Sequence, residues 1–295
     1  LALAQAVIRA IIGEGHPHEA QSEMLKMLHE GRSTLGIMAT GCGKSLVFQT
    51  FAALLALTSH KASIFVYPLR ALMADQAFHL SSQLSRFGIV CEVLNGESTQ
   101  SERERIYSSL AAGKVDIILT TPEYLSFHAE RIAACGRIGF MVVDEAHHIG
   151  QARAGVRMSY RELKRIVHIL GDPVVLAVTA TANTDIASDI SSTLPIDVSV
   201  IDDTQRDNLF LDDVRNIRNK DDYLAHLVAS GEKCVIYVNS REQSVSIARR
   251  LRARVPQLAP MIGFYNAGLS REERACIEDL FRKGDIAVLV TTSAF

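Results

Sequence analysis

Short apolar runs rich in β-branched residues alternate with helical periodicity along the chain, and this alternation restricts the fold more than any other feature. The runs are Thr34–Met38, Ile64–Tyr67, Val90–Leu94, Ile117–Thr120, Phe140–Val143 and Val174–Val178. The clearest helical stretch between them carries Leu69, Leu72, Met73, Ala77, Leu80 and Leu84, which repeat along one helix face. Strands that are apolar on both sides and joined by helices pair in parallel with right-handed crossovers. The expected class is α/β, with ligands at the carboxyl ends of the strands.

A polar stretch then breaks the pattern. Asp202-Asp203-Thr204-Gln205-Arg206-Asp207-Asn208, followed by the charged and amide-rich Arg215–Asp222, reads as a linker. The expected organisation is a first domain over 1–203, a linker over 204–222 and a second domain over 223–295. In the second, the runs Cys234–Val238, Ile262–Tyr265 and Ile286–Thr291 alternate with helices over Arg241–Arg254 and Arg271–Lys283. The pattern stops at Phe295, directly after a strand. A parallel sheet needs neighbours to cover its edge, so the second domain is expected to be incomplete and the chain to be part of a longer one.

Two motifs fall at strand ends. Thr40-Gly41-Cys42-Gly43-Lys44-Ser45 follows the apolar Leu35-Gly36-Ile37-Met38 and opens into a helical pattern of Leu46, Val47, Phe51, Leu54 and Leu55. A strand, a glycine-rich turn and a helix N-terminus make a cradle of backbone N–H groups that suits phosphate oxygens. Lys44 brings positive charge to the β- and γ-phosphates, and the Ser45 hydroxyl suits Mg²⁺. Asp144, 100 residues after Lys44 in Val142-Val143-Asp144-Glu145-Ala146-His147, is placed as the second hold on the metal. Glu145 is placed to take a proton from an attacking water or to orient it. Lys44, Asp144 and Glu145 are thus the catalytic candidates, with Ser45 and Asp144 as metal ligands. His147 and His148 have no third ligand at metal-binding spacing, so polar coupling to neighbouring motifs suits His147 better.

Composition narrows the partners. No apolar stretch reaches the roughly 18–20 residues of a membrane span, and the net charge of −2 gives no global basic field. Nucleic-acid binding would rest on a local groove. The five cysteines, Cys42, Cys91, Cys135, Cys234 and Cys276, show neither zinc-ligand nor redox spacing and read as reduced thiols of a cytoplasmic protein. Cys42 stands out because it lies inside the phosphate loop.

The motifs together carry a resemblance. Thr40–Ser45, Asp144-Glu145-Ala146-His147 and Thr179-Ala180-Thr181 resemble motifs I, II and III of superfamily 2 helicases. Tyr67-Pro68-Leu69-Arg70-Ala71-Leu72 is similar to motif Ia, and Thr120-Thr121-Pro122-Glu123 to motif Ib. Val235-Ile236-Tyr237-Val238-Asn239-Ser240-Arg241 looks like motif IV, and Val290–Phe295 like the start of motif V. The particular strings resemble the RecQ-like DNA helicases. Their MPTGGGKS is close to Met38–Ser45, their PLxxLMxDQ to Pro68–Gln76, their TATA to Thr179–Ala182, and their YxAGL to Tyr265–Leu269. The family's adenine-reading glutamine precedes its lysine by the 23 residues that separate Gln21 from Lys44.

The resemblance implies an ATP- and Mg²⁺-dependent motor of two RecA-like domains, the second incomplete here. It would run 3′→5′ on single-stranded DNA and unwind duplex, in cytoplasm or nucleus. ATP would be held by Gln21, His18, Thr40, Gly41, Cys42, Gly43, Lys44, Ser45 and Asp144, with His147, Thr179 and Thr181 coupling the motifs. Pro68, Leu69, Arg70, Thr121, Pro122, Asn239, Ser240, Arg241 and Thr291 would line the DNA path, although Pro68 and Pro122 also suit strand-end turns. Backbone contacts of this kind fit stepping that is indifferent to base sequence.

The chain also departs from the family. Without gaps, the aromatic-rich loop after motif II places Ala152 and Val156 where the family has its Trp and Phe, and Tyr160 alone stays aromatic. Arg153 and Arg157 could grip phosphates there instead. Where the family has FRxxQ, this chain has Pro17-His18-Glu19-Ala20-Gln21, so a permanently charged, stacking Arg becomes His18. The remainder of motif V, motif VI with its arginine fingers, and the zinc module are expected beyond Phe295. A missing arginine finger costs on the order of 10³–10⁵ in rate. The expectation is therefore a chain that binds ATP–Mg²⁺ and hydrolyses it slowly. Two rivals stay open: an RNA helicase of the DEAD/DEAH type, and a nucleotide-gated nucleic-acid-binding scaffold that does not unwind.

Overall fold

The computed structural model describes residues 2–68, 70–153, 158–181, 183–202, 204 and 209–292, giving the backbone alone for 70–72, 74, 75 and 151–153. The chain divides into two compact units, 1–205 and 206–295.

The first unit begins with α1 (Ala2–Ile12), α2 (Glu19–His29), β1 (Thr34–Ile37), α3 (Lys44–Ser59), β2 (Ala62–Val66) and α4 (Arg70–Leu84). It continues with β3 (Cys91–Leu94), α5 (Gln100–Ala111), β4 (Ile117–Thr120), α6 (Pro122–Ala133), β5 (Ile138–Val143) and α7 (His148–Arg153). It closes with α8 (Leu163–Ile169), β6 (Val174–Thr179), α9 (Thr184–Thr193) and β7 (Val198–Ile201). The seven strands form one sheet in the order β3-β4-β2-β5-β6-β1-β7, every pair parallel.

Strand periodicity sends alternate residues to opposite faces. Ile64, Val66, Met141, Val143 and Ala177 pack on one side with Tyr124, Leu125 and Ile132 of α6 and Ile166 of α8. Phe65, Phe140, Val142, Leu176 and Val178 pack on the other with Met24 of α2, with Val47 and Phe48 of α3 and with Met73 of α4. Both faces are thus covered, and each fully buried large apolar side chain contributes roughly 1.5–3 kcal/mol. Two edge-to-face ring pairs, Phe48–Phe65 at 5.0 Å and Phe51–Phe140 at 4.7 Å, fix α3 on the sheet. On β1, a Cβ at Gly36 would lie 2.5 Å from the Met24 sulfur. That glycine lets α2 lie directly against the strand, which brings Gln21, one turn earlier, over the strand's end.

Several strands differ from the sequence expectation. β7, Val198-Ser199-Val200-Ile201, is absent from the expected strands because it is short and interrupted by Ser199; it is an edge strand paired with β1, alternately buried and exposed, so it needs no continuous apolar run. β2 starts at Ala62 and takes in Ser63, both fully buried between β4 and β5 although neither is large and apolar.

The second unit holds α10 (Lys220–Ala229), β8 (Cys234–Tyr237), α11 (Arg241–Arg254), β9 (Ile262–Tyr265), α12 (Arg271–Lys283) and β10 (Val288–Thr291). Its sheet is parallel in the order β8-β10-β9. α10 starts inside the segment read as linker. Asn219 caps it by accepting the Asp222 N–H, and Asp221 and Asp222 occupy its first turn, where carboxylates favour the helix dipole. Part of that polarity therefore encodes a helix start.

Candidate functional site

Because the sheet is parallel, β1, β5 and β6 end at one edge, with β6 between the other two. Backbone bonds lock these ends together. Met38 N–H donates to Thr179 C=O, Ala146 N–H to Val178 C=O and Asp144 N–H to Val66 C=O, each at 3.0 Å.

From β1 the chain enters a tight turn with Gly41 at φ +81° and Gly43 at φ +73°, both left-handed. Gly43 is the N-cap of α3, so Lys44 and Ser45 are its first two residues. Glycine at 43 is required twice, by its φ and by space, since a Cβ there would lie 2.6 Å from Gln21 Nε2. Gln21 is buried, and its Nε2 donates to Cys42 C=O at 3.1 Å and to Gly43 C=O at 3.0 Å. Its Oε1 accepts the His18 N–H at 3.0 Å. His18 Nε2 lies 3.0 Å from the same Cys42 carbonyl, which can only accept, so the proton sits on Nε2. In this structure Gln21 and His18 brace the loop from behind, and Gln21 has no amide proton left for an adenine edge. Thr40 and Gly41 are exposed, and Cys42, Lys44 and Ser45 half-buried.

Lys44 Nζ reaches back to donate to Met38 C=O at 3.3 Å. It also acts electrostatically on Asp144. Burial first, then the Glu145 charge, raises the Asp144 carboxyl from its ordinary 3.8 to about 6, while the Glu145 N–H and Lys44 pull the other way. Glu145 has a left-handed backbone at φ +48° without being glycine, a conformation costing of order 1 kcal/mol. Its N–H donates to Asp144 Oδ1 at 2.9 Å, and its Oε2 lies 3.2 Å from His147 Nδ1. The same Nδ1 is 3.2 Å from Thr179 Oγ1. Thr179 already donates to Thr181 C=O at 3.1 Å and accepts the Thr181 N–H at 3.3 Å. The histidine therefore carries its proton on Nδ1, donating toward Glu145 and Thr179 together. Glu145, His147, Thr179 and Thr181 form one polar chain linking the ends of β5 and β6.

The Asp144 shift has a measurable consequence. A carboxyl whose folded pKa is raised stabilises the fold fully below its unfolded pKa, and that contribution is lost as pH rises through the folded value. Without metal or nucleotide, the window is about pH 4 to 6–7, and a two-unit shift corresponds to about 3 kcal/mol. Melting the chain and Asp144→Asn across pH 4–8 should show the unsubstituted chain losing stability relative to the variant over that window. Parallel curves would contradict the shift.

The other sequence candidates divide. Thr121 is buried, and its hydroxyl accepts the Tyr124 N–H at 3.2 Å as the cap of α6; Pro122 is buried as the helix's first residue. Thr291 is fully buried, and its hydroxyl donates to Thr292 C=O at 2.8 Å. These three side chains are buried and serve the local scaffold, so any contact of theirs with DNA would have to come from the backbone. Asn239 and Arg241 are exposed beside Ser240, which caps α11 by accepting the Gln243 N–H. Pro68 is half-buried at the end of β2. Leu69, Val156 and Arg157, with the side chains of Arg70, Ala152 and Arg153, lie outside the described residues. Tyr160 is fully buried in the core, its ring 5.7 Å from that of His148, which excludes it as an exposed platform for bases. Among the described residues no His, Cys, Asp or Glu cluster suits a metal ion by itself, and no helix is long and apolar enough to cross a membrane.

Two features escape motif reading. Asp202 follows the unpredicted β7, and its Oδ2 lies 3.9 Å from His18 Nε2; recognising β7 from Val198-Ser199-Val200-Ile201 would have drawn Asp202 to the site. Tyr67, just after β2, has a buried hydroxyl with no partner among the described residues.

The donor set fits a magnesium nucleotide. Left-handed glycines clear the loop of side chains, Lys44 and Ser45 open a helix at it, and a buried carboxylate that resists ionisation alone gains from a cation.

The chain is similar to known helicases. A DEAD/DEAH box helicase model matches residues 18–189, and a model of the helicase conserved C-terminal domain matches 219–295. The ATP-dependent DNA helicase RecQ of Bacillus subtilis is 32% identical over 302 residues, covering 99% of this chain and 48% of that protein. That of Pasteurella multocida is 28% identical over 296 residues, covering 98% of this chain and 44% of its own length. The chain spans less than half the length of these relatives. A solved structure of the DUF1998 helicase MrfA bound to DNA shares the fold, with a TM-score of 0.76 at 19% identity over 99% of this chain and 44% of that one.

Proposed function

Since the chain belongs to the DEAD/DEAH box helicases and is RecQ-like within superfamily 2, we infer that it is the motor portion of an ATP-dependent DNA helicase. It couples hydrolysis to 3′→5′ movement on single-stranded DNA and to duplex unwinding. One observation carries this reading: the glycine turn bearing Lys44 and Ser45 opens at the same sheet edge as Asp144-Glu145, close enough for Lys44 to act on the Asp144 carboxyl.

In this reading the backbone N–H groups at the start of α3 and the Lys44 ammonium hold the β- and γ-phosphates. Ser45 and Asp144 hold Mg²⁺, which when bound neutralises phosphate charge. Glu145, fixed by its own backbone bond to Asp144 and by His147, accepts a proton from water. His147 passes the position of that carboxylate to Thr179 at the end of β6 and to Thr181 just after it. In the second unit Asn239 and Arg241 are offered to the DNA backbone at a helix N-terminus, a contact that does not read sequence.

The test is fluorescence anisotropy with single-stranded DNA and RNA of one length, with and without a non-hydrolysable ATP analogue and Mg²⁺. DNA binding that weakens with salt, exceeds RNA binding and changes severalfold with nucleotide is expected. Preference for RNA would favour an RNA helicase, and failure to bind either strand would remove the motor reading.

A further inference from the structure

Tyr67 follows β2 and is 2% exposed. Its N–H donates to Thr120 C=O at 2.9 Å, and Val66 before it accepts the Asp144 N–H at 3.0 Å. The tyrosine therefore sits at the strand end beside the one that carries Asp144. Its ring belongs to the buried cluster that contains Val47 and Phe48 of α3, the helix that opens at the phosphate loop. The hydroxyl is buried and has no hydrogen-bond partner among the described residues. A buried hydroxyl without a partner lowers stability, and phenylalanine would fill the same space without that cost. Burial and the Asp144 charge both hold the phenol well above its ordinary value, so at neutral pH the group is a proton donor. A donor without a described acceptor thus lies at the strand end paired with the one that carries Asp144, Val66 facing Val143, and the described hydrogen-bond donor to that carboxylate is the Glu145 N–H on Oδ1. The resemblance assigns Tyr67 no role.

We propose that Tyr67 is a positioning residue for the metal-holding carboxylate: its hydroxyl donates to Asp144 once that side chain holds Mg²⁺, and so fixes the carboxylate's orientation. The inference rests on the Mg²⁺·ATP reading of the site. The hydroxyl destabilises the free protein and strengthens the loaded one, so its removal should move stability and binding in opposite directions. A purely structural tyrosine would not do this.

The test compares the full chain with Tyr67→Phe. Without ligand, the variant's melting temperature should rise by about 2–4 °C, as expected when a buried unpaired hydroxyl is removed from a chain of this size. Its affinity for Mg²⁺·ATP should fall about ten- to a hundredfold, the effect of one hydrogen bond to a charged group, while affinity for ATP in EDTA stays unchanged. Unchanged Mg²⁺·ATP affinity would overturn the proposal, and so would a lowered melting temperature, which would mean that the hydroxyl has a partner in the free protein. Failure of the site itself looks different: the unsubstituted chain would gain no ATP affinity from Mg²⁺.

Discussion

Lys44→Ala should abolish measurable Mg²⁺·ATP binding and leave the fold standing. The asymmetry follows from what the lysine touches. Its described hydrogen bond is a single long one to Met38 C=O at 3.3 Å, and it is half-buried at a helix start. Little of the first unit's core depends on it. The phosphates, by contrast, lose the cationic side chain of the cradle. Removing one partner of a close charge pair costs about 3–4 kcal/mol, or on the order of 10²–10³ in affinity. Calorimetric titration should find no binding in a range where the unsubstituted chain saturates, with the melting temperature moved by no more than about 2 °C. Retained affinity would mean that the phosphates rest elsewhere.

Glu145→Gln should separate binding from chemistry. The amide keeps an oxygen that can accept from His147 Nδ1, now 3.2 Å from the carboxylate, and leaves untouched the N–H that donates to Asp144. The polar chain to Thr179 should survive. What is lost is the ability to take a proton, a contribution of typically 10²–10⁴ in rate. Single-turnover hydrolysis should fall by about that factor, while Mg²⁺·ATP affinity stays within about threefold, less than 1 kcal/mol. A matching loss of affinity would assign Glu145 to nucleotide holding instead of proton transfer.

The sequence disclosed those parts of the fold in which one physical signal dominates. β4, β5 and β6 are covered on both faces and show up as unbroken apolar runs. The cradle shows up because only glycine tolerates the backbone at 41 and 43. Less was legible where two demands share a residue. β7 has one face toward solvent, so polar side chains interrupt it and hid Asp202 from view. Thr121, Pro122 and Thr291 match nucleic-acid motifs by type and order, but their side chains serve a helix cap, a helix start and a buried turn. Motif strings record which residues recur, not which way they point. Gln21 adds to this: its spacing matches an adenine-reading glutamine, while in the structure its amide donates to the Cys42 and Gly43 carbonyls of the loop. Tyr67 had no signal, because an aromatic residue ending a strand ordinarily means core, and only the unpartnered hydroxyl separates it from Phe65.

Mn²⁺ in place of Mg²⁺, bound with a non-hydrolysable ATP analogue and located by its anomalous scattering, tests the core of this reading most directly. A metal peak is expected between the Ser45 hydroxyl and the Asp144 carboxylate, with Lys44 Nζ moved from Met38 C=O onto phosphate oxygen. Metal and phosphates found elsewhere, with Lys44 still on its carbonyl, would contradict it.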